Sequence, residues 1–344
     1  MNMTVADLKN KIKSADIGGA YVFAGEEDYL KKYYLSEIAN ICCPDEAFSL
    51  FNRVTFDGAD IDLAEIAEAI KAPPMMSDLK LIEWKYPDLD KMKESDKKTL
   101  IAIAESLTDY PYITFVLFSD IDGFDPGTVK RPSKNAKLFS KTFNIVNFEK
   151  STDAQLIGWL KRHFDAEGIG CDAETLSALI FRSGHSMSIL SGEVKKLSAY
   201  AKANTLPAIT KKDVEFVASP TLECDAFALS GAITDKNRER AFLALSDMMM
   251  RRVEPAAVLA TLSRSFGELV TVALLLEEGN DAKDIESILN WNQYKIKICI
   301  SSAKKWGLAK LSSAMARLRE LDAASKSGGI SGYKAVEIFI CQHI

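Results

Sequence analysis

Between residues 20 and 148, apolar runs of strand length alternate with helical stretches; after residue 149 the strand runs stop. "AYVFAG" is followed by a helical pattern over 26–41 and "LFNRVTFDG" by one over 60–71. "LKLIEW" precedes a helix over 92–107, "YITFVLFS" precedes a basic loop and a helix over 133–142, and "FNIVNF" closes the series. Strands buried on both faces read as nearly continuous apolar runs, and a repeated strand–helix alternation closes as a parallel sheet with helices on both faces. The expected fold is therefore an α/β N-terminal domain over 1–148. Residues 151–167, 172–182 and 187–203 read as three helices with turn signals between or after them ("EGIGCD", "RSGH", "NTLPAIT"), a small bundle over 149–210. From 211 to 344 five or six amphipathic helices are expected, among them "TDKNRERAFLALSDMMMRR" and "LAKLSSAMARLRELDAASKSGG".

The 344 residues are 47% hydrophobic, enough for a sizeable core divided over two or three domains. A formal net charge of -5 does not advertise nucleic acid, so any such contact has to come from a local patch. No apolar run reaches membrane-spanning length, and "MNMTVADLKNKIKSADIGG" reads as an amphipathic helix, not a signal peptide. A cytoplasmic protein without membrane contact is expected. Six scattered cysteines lack C-x-x-C spacing and read as small buried apolar groups, and only His343 lies near one, Cys341; no metal site is expected. In "RSGHSMS" Ser186 reads as the cap of the next helix, not as a nucleophile paired with His185.

"AGEEDYLKK" (24–32) begins where a phosphate-cradling loop would begin. Such a loop reads G-x-x-x-x-G-K-[ST], with main-chain amides around the phosphates and a lysine reaching the outer ones. Laid from Gly25, the second glycine falls on Leu30, the lysine on Lys31 and the hydroxyl on Lys32. Glu26, Glu27 and Asp28 occupy the helix start, where an anion would otherwise be attracted. No nucleotide or other cofactor is expected.

The ordered set "YVFAGEEDYLKK", "IKAPPMMSDLKLIEW", "KRPSKNAKLFSKTFNIVNFE", "LIGWLKRHFDAEGIGCDAETLSALIFRSGHSMSILSGEVKKLSAYA", "ITKKDVEFVAS", "DAFALSGAI" and "LDAASKSGG" resembles the delta subunit family of the bacterial DNA polymerase III clamp loader, over essentially the whole length. The resemblance implies an AAA+ like N-terminal module, a helical lid and a helical collar joining the other loader subunits, gamma/tau and delta prime. It further implies a subunit that does not hydrolyse ATP itself within a nucleotidyltransferase assembly. Two observations agree: "LKLIEW" has Glu83 without a paired Asp, and Ser188 stands where many lid helices carry an arginine after the "SGHS" turn.

In this family an apolar pair at the position of Pro73-Pro74-Met75-Met76-Ser77-Asp78 forms a tip inserted into a pocket of the ring-shaped sliding clamp, the beta subunit. The resemblance therefore makes Pro74, Met75 and Met76 the clamp-binding wedge. Methionine, unbranched and polarizable, suits an irregular groove, while the prolines end the preceding helix and stiffen the tip. Read from pattern alone, the pair could instead cap the sheet core. Two carboxylate-free basic stretches, 129–143 with Lys130, Arg131 and Lys134, and 291–319 with Lys295, Lys297, Lys304 and Lys305, could meet primed DNA; the favoured reading is solvated faces or subunit contacts. "MMM" at 248–250 reads as core. The rival functions are an AAA+ like ATPase with an unusual loop and a helical adapter.

Overall fold

The computed structural model describes residues 2–128 and 130–344, so Met1 and Val129, the first residue of the basic stretch, lie outside the described residues. The chain divides into two compact units, Met1–Ser151 and Thr152–Ile344.

The first unit runs β1 (Asn2–Met3), α1 (Val5–Lys13), β2 (Gly19–Ala24), α2 (Asp28–Cys42), α3 (Glu46–Asn52), β3 (Arg53–Asp57), α4 (Leu63–Lys71), β4 (Lys80–Lys85), α5 (Glu94–Glu105), β5 (Ile113–Phe118), α6 (Lys134–Phe139) and β6 (Asn144–Asn147). Its strands form one six-stranded sheet in the order β1-β6-β2-β5-β4-β3, with every pairing parallel. Alternate residues of the central strands face opposite layers. Val22, Ile82 and Phe115 pack with Ile66, Ile70, Leu100 and Phe139 on one face. Tyr21, Phe23, Leu81 and Val116 pack with Leu8, Leu35 and Ile38 on the other. The strand order changes direction around β2, and the C-terminal ends of β2 and β5 flank the crevice where open sheets of this kind take ligands.

Three local readings are corrected. Leu50, Phe51 and Asn52 close α3, capped by the Asp45 side chain, so the strand expected over "LFNRVTFDG" starts only at Arg53. The N-terminus adds the short edge strand β1 before its helix. Strands do not stop at 149: Gly170–Cys171 (β7) pairs in parallel with Ala208–Ile209 (β8).

The second unit contains α7 (Asp153–Ala166), β7, α8 (Ala173–Ser183), α9 (Met187–Ala203), β8, α10 (Lys211–Val217), α11 (Leu222–Thr234), α12 (Arg238–Met250), α13 (Pro255–Glu277), α14 (Ala282–Leu289), α15 (Gln293–Lys326) and α16 (Gly332–His343). Among the described residues seven helices follow residue 211, against the five or six expected, and α15 is itself broken at Gly307, whose φ of 73° and ψ of 163° are not helical. Capping chemistry sets the starts. Thr152 and Gln155 form a capping box on α7, Asp172 caps α8, and Ser186 accepts from the Ile189 amide at the start of α9.

Val258, Leu259, Leu262, Phe266, Leu269 and Val272 line the core face of α13. By length and composition this 23-residue helix could cross a membrane, which corrects the expectation that no segment is long and apolar enough. A core helix passes the same test, and its packing against Leu229, Leu311 and Phe339 is core packing. Of the triplet 248–250 only Met248 is core; Met249 and Met250 are exposed, because three consecutive helical residues cannot share one face. The cysteines divide likewise: Cys42, Cys224 and Cys299 are buried, but Cys43 and Cys171 are only half-buried and Cys341 is exposed.

Candidate functional site

The loop joining α4 to β4 carries the proline pair and the methionine pair, and its surroundings hold it from three sides. Lys80, at the start of β4, is almost fully buried and donates to the carbonyls of Ala69 (2.6 Å) and Ala72 (2.8 Å). It thereby satisfies orphan acceptors at the end of α4, and burial lowers its pKa from the ordinary lysine value. Ser77 Oγ lies 3.2 Å from the carbonyls of Cys42 and Leu79, tying the descending limb to the end of α2. On the remaining side, Asn52 Nδ2 donates to the Met75 carbonyl and Asn52 Oδ1 accepts from the Met75 amide, both at 2.7 Å.

Between these braces the tip projects. Met75 is 48% and Met76 80% exposed, while Pro74 is half-buried. Neither methionine belongs to the sheet core. Met76 sits at φ 53°, a left-handed conformation that costs a non-glycine residue roughly 1–2 kcal/mol. The neighbouring last turn of α3 exposes two more large apolar side chains, Leu50 and Phe51. Phe48, Met76 and Leu79 share a shallow groove of about 290 Å³ beside the tip. The contact that Asn52 makes with Met75 has no signal in the sequence, because a single amide within an apolar run has no periodic signature.

The crevice at the ends of β2 and β5 is built differently from a phosphate cradle. Lys31 is completely buried, donates to the Ser119 carbonyl at 2.9 Å, pairs with Asp28 at 2.8 Å and lies 5.1 Å from the centre of the Phe118 ring. The Glu27 amide, at the helix entrance, donates to the Phe148 carbonyl at 2.9 Å. Gly25 has φ 98°, and a Cβ there would lie 2.4 Å from that same carbonyl oxygen; the glycine serves close packing against the segment just after β6. α2 begins at Asp28 with Glu27 as its cap residue, and Glu26 stands outside, paired with Lys150 at 2.7 Å. On β4 the buried Glu83 is neutralised by Arg53 Nε at 2.6 Å and Lys85 at 3.4 Å.

The basic candidates fall into different environments. Lys130, Arg131 and Lys134 are all exposed; Arg131 exchanges main-chain bonds with Thr128, while Lys134 opens α6. Asp90 anchors that segment by accepting from the Asp125 amide and from Asn135 Nδ2. In the second unit Lys304 is exposed, Lys305 pairs with Asp235 at 2.5 Å and Lys297 lies 3.5 Å from Glu174. Lys295 is not a surface cation. It is buried, bonds Glu223 and Glu268 at 2.8 Å each, and faces the rings of Trp291 and Phe227 at 4.6 and 4.9 Å. Its ammonium is committed inside the fold. Burial keeps the Glu268 carboxyl above the ordinary range, against the pull of Lys295.

His185 has a structural partner. Its Nε2 lies 2.7 Å from Asp153 Oδ1, while Asn292 Nδ2 donates to the other Asp153 oxygen at 2.6 Å, and Asn292 Oδ1 accepts from Ser177 Oγ at 3.0 Å. The network joins the starts of α7, α9 and α15 through α8. Among the described residues no group of three or more His, Cys, Asp or Glu side chains is placed to hold a metal ion.

Two family models match the chain, DNA polymerase III, delta subunit, over residues 21–152, and DNA polymerase III delta subunit, C-terminal domain, over 223–343. DNA polymerase III subunit delta of Bacillus subtilis (strain 168) is 23% identical over 342 residues, covering 98% of this chain and 96% of that protein. The probable DNA polymerase III subunit delta of Aquifex aeolicus (strain VF5) is 24% identical over 318 residues, 89% of this chain and 85% of that one. The solved structure of the Bacillus subtilis DNA clamp loader delta protein superposes with a TM-score of 0.58 at 22% identity, covering 98% of both chains. The two chains thus share a fold, here a parallel-sheet α/β unit followed by a mostly helical one. With the two models together spanning well over half of its length, the chain belongs to the DNA polymerase III delta subunit family.

Proposed function

We propose that this chain is the clamp-opening subunit of its loader: it captures the ring-shaped sliding clamp through Met75 and Met76, and it does so in the cytoplasm without hydrolysing ATP. The carrying observation is the combination at Met76, an 80% exposed apolar side chain at a left-handed backbone position on a loop braced from three sides. A preformed apolar tip loses little conformational entropy on docking. Burial of the two methionines would contribute roughly 3–6 kcal/mol before the cost of association. That magnitude can bias a ring interface but cannot by itself hold one open. Opening follows only if the tip binds the open ring more tightly than the closed one.

On this reading Thr152–Ile344 works as a lid, up to about residue 210, and a collar from 211 that joins gamma/tau and delta prime subunits. The exposed cations Lys130, Arg131 and Lys134, with Lys304, would meet the phosphates of primed DNA in the assembly. An ATP-hydrolysing remodeller would need Lys31 free at the crevice, and its commitment to Ser119, Asp28 and Phe118 weighs against that. A helical adapter would leave the exposed tip without a role. The test is capture of the same organism's sliding clamp by the wild type and by Met75→Ser/Met76→Ser. Capture by the wild type and its loss in the variant is expected; equal capture by both would remove the tip from the mechanism.

A further inference from the structure

Asn52 is 1% exposed and cannot touch a partner, yet its amide engages both main-chain polar groups of Met75. A side-chain amide is among the few groups able to do this, since it offers a donor and an acceptor side by side in the geometry of a main-chain peptide. The bracket closes across 23 residues of sequence, from the last residue of α3 to a loop leading into β4. It fixes the residue immediately before the strained Met76. Without it, the Met75 amide and carbonyl would have to turn to water, and the loop would be free to relax Met76 from its left-handed conformation.

We propose that Asn52 is the positioning residue of the tip: an internal strut that keeps Met75 and Met76 presented in the docking shape before any partner arrives. This rests on the reading of the tip as the clamp-binding element. It adds that affinity resides partly in a residue the clamp never meets, through preorganisation. Lys80 and Ser77 hold the two limbs of the loop, whereas Asn52 alone among the three holds the apex. Loss of the strut leaves the apolar side chains in place and alters only how often they occupy the docking geometry.

Two readouts separate the strut from the clamp reading. In the free full-length chain, hydrogen–deuterium exchange over residues 73–77 is compared for wild type, Asn52→Ala and Asn52→Asp. The Asp variant retains the acceptor for the Met75 amide but sets a carboxylate against the Met75 carbonyl. Faster exchange of the tip in both, with exchange of β2 and β5 unchanged, is expected; unchanged exchange at the tip overturns the strut whatever the clamp does. In the second readout, affinity for the sliding clamp is measured for wild type, Asn52→Ala, Met76→Ala and the double variant. Asn52→Ala is expected to weaken binding about tenfold, and to weaken it much less in the Met76→Ala background, the mark of coupled residues. Equal loss in both backgrounds, or no loss at all, overturns the positioning role. A wild type that shows tip protection but binds no clamp leaves the strut standing and sinks the clamp reading.

Discussion

The Lys31 ammonium donates to the main-chain carbonyl of Ser119 at 2.9 Å, tying the first turn of α2 to the residue just after β5 across the mouth of the crevice. Lysine here is a structural cross-link. Replacing it by methionine keeps the stem but leaves the carbonyl and Asp28 without their cation, and should lower unfolding free energy by about 1–3 kcal/mol in urea titration. The same frame predicts that millimolar Mg-ATP shifts the melting temperature of neither protein. A ligand that binds the native state must raise it.

Lys295 should behave as a core residue. Lys295→Ala leaves Glu268 largely buried without its partner and is expected to destabilise the second unit by about 3–5 kcal/mol. Lys304→Ala, at an exposed site, should fall within about 0.5 kcal/mol of wild type. Chemical denaturation of the two variants checks this directly.

The exposed cations Lys130, Arg131 and Lys134 carry the opposite expectation. Lys130→Ala/Arg131→Ala/Lys134→Ala should leave stability unchanged. In the assembled loader it should reduce the slope of log affinity for primed DNA against log salt by about 2–3, near one unit per lost phosphate contact. An unchanged slope would place these cations away from DNA.

The pair formed by His185 and Asp153 predicts a pH dependence. The Asp153 hydrogen bond is the largest influence on His185 and raises its pKa above 6.5, aided by Glu223 and opposed by burial and Lys295. A raised folded-state value means that the stabilisation is complete below about pH 6.5 and is lost as pH rises through the raised value. Asp153 is held below the ordinary 3.8 first by His185, so its share persists above that pH and is lost as pH falls through the lowered value. With His185 more than half exposed, the contribution should stay below about 1 kcal/mol. Melting curves of wild type and His185→Ala should therefore differ most near pH 5–6 and converge toward pH 9.

Much of this architecture is legible in the sequence because buried parallel strands are apolar on both faces: β2 and β5 stand out as nearly continuous apolar runs, and the interior of β4 is interrupted only at Glu83, which pairs with Arg53 and Lys85. β1, β7 and β8 do not, since two residues carry no period. Asp45, a cap residue, was the signal that "SLFN" ends a helix before β3 begins. The exposure of Met75 and Met76 is not legible from the pattern alone, which allows a cap on the sheet core; only the family resemblance points to a projecting tip. Lys295 was misread as a surface candidate because its partners Glu223 and Glu268 lie 72 and 27 residues away, so a carboxylate-free stretch concealed a buried ion pair. Asn52 gives no signal for the same reason: its bonds to Met75 exist only once α3 and the tip loop are folded together.

Whether the Met75–Met76 tip favours an opened ring is decided by its relative affinity for the open and closed states. Binding of the full-length chain is compared between the closed clamp ring and a clamp variant whose subunit interface has been broken so that it remains monomeric. Tighter binding to the monomer is expected, with the preference lost in Met75→Ser/Met76→Ser. Equal affinity for ring and monomer would contradict it, because a ligand that binds both states alike shifts nothing.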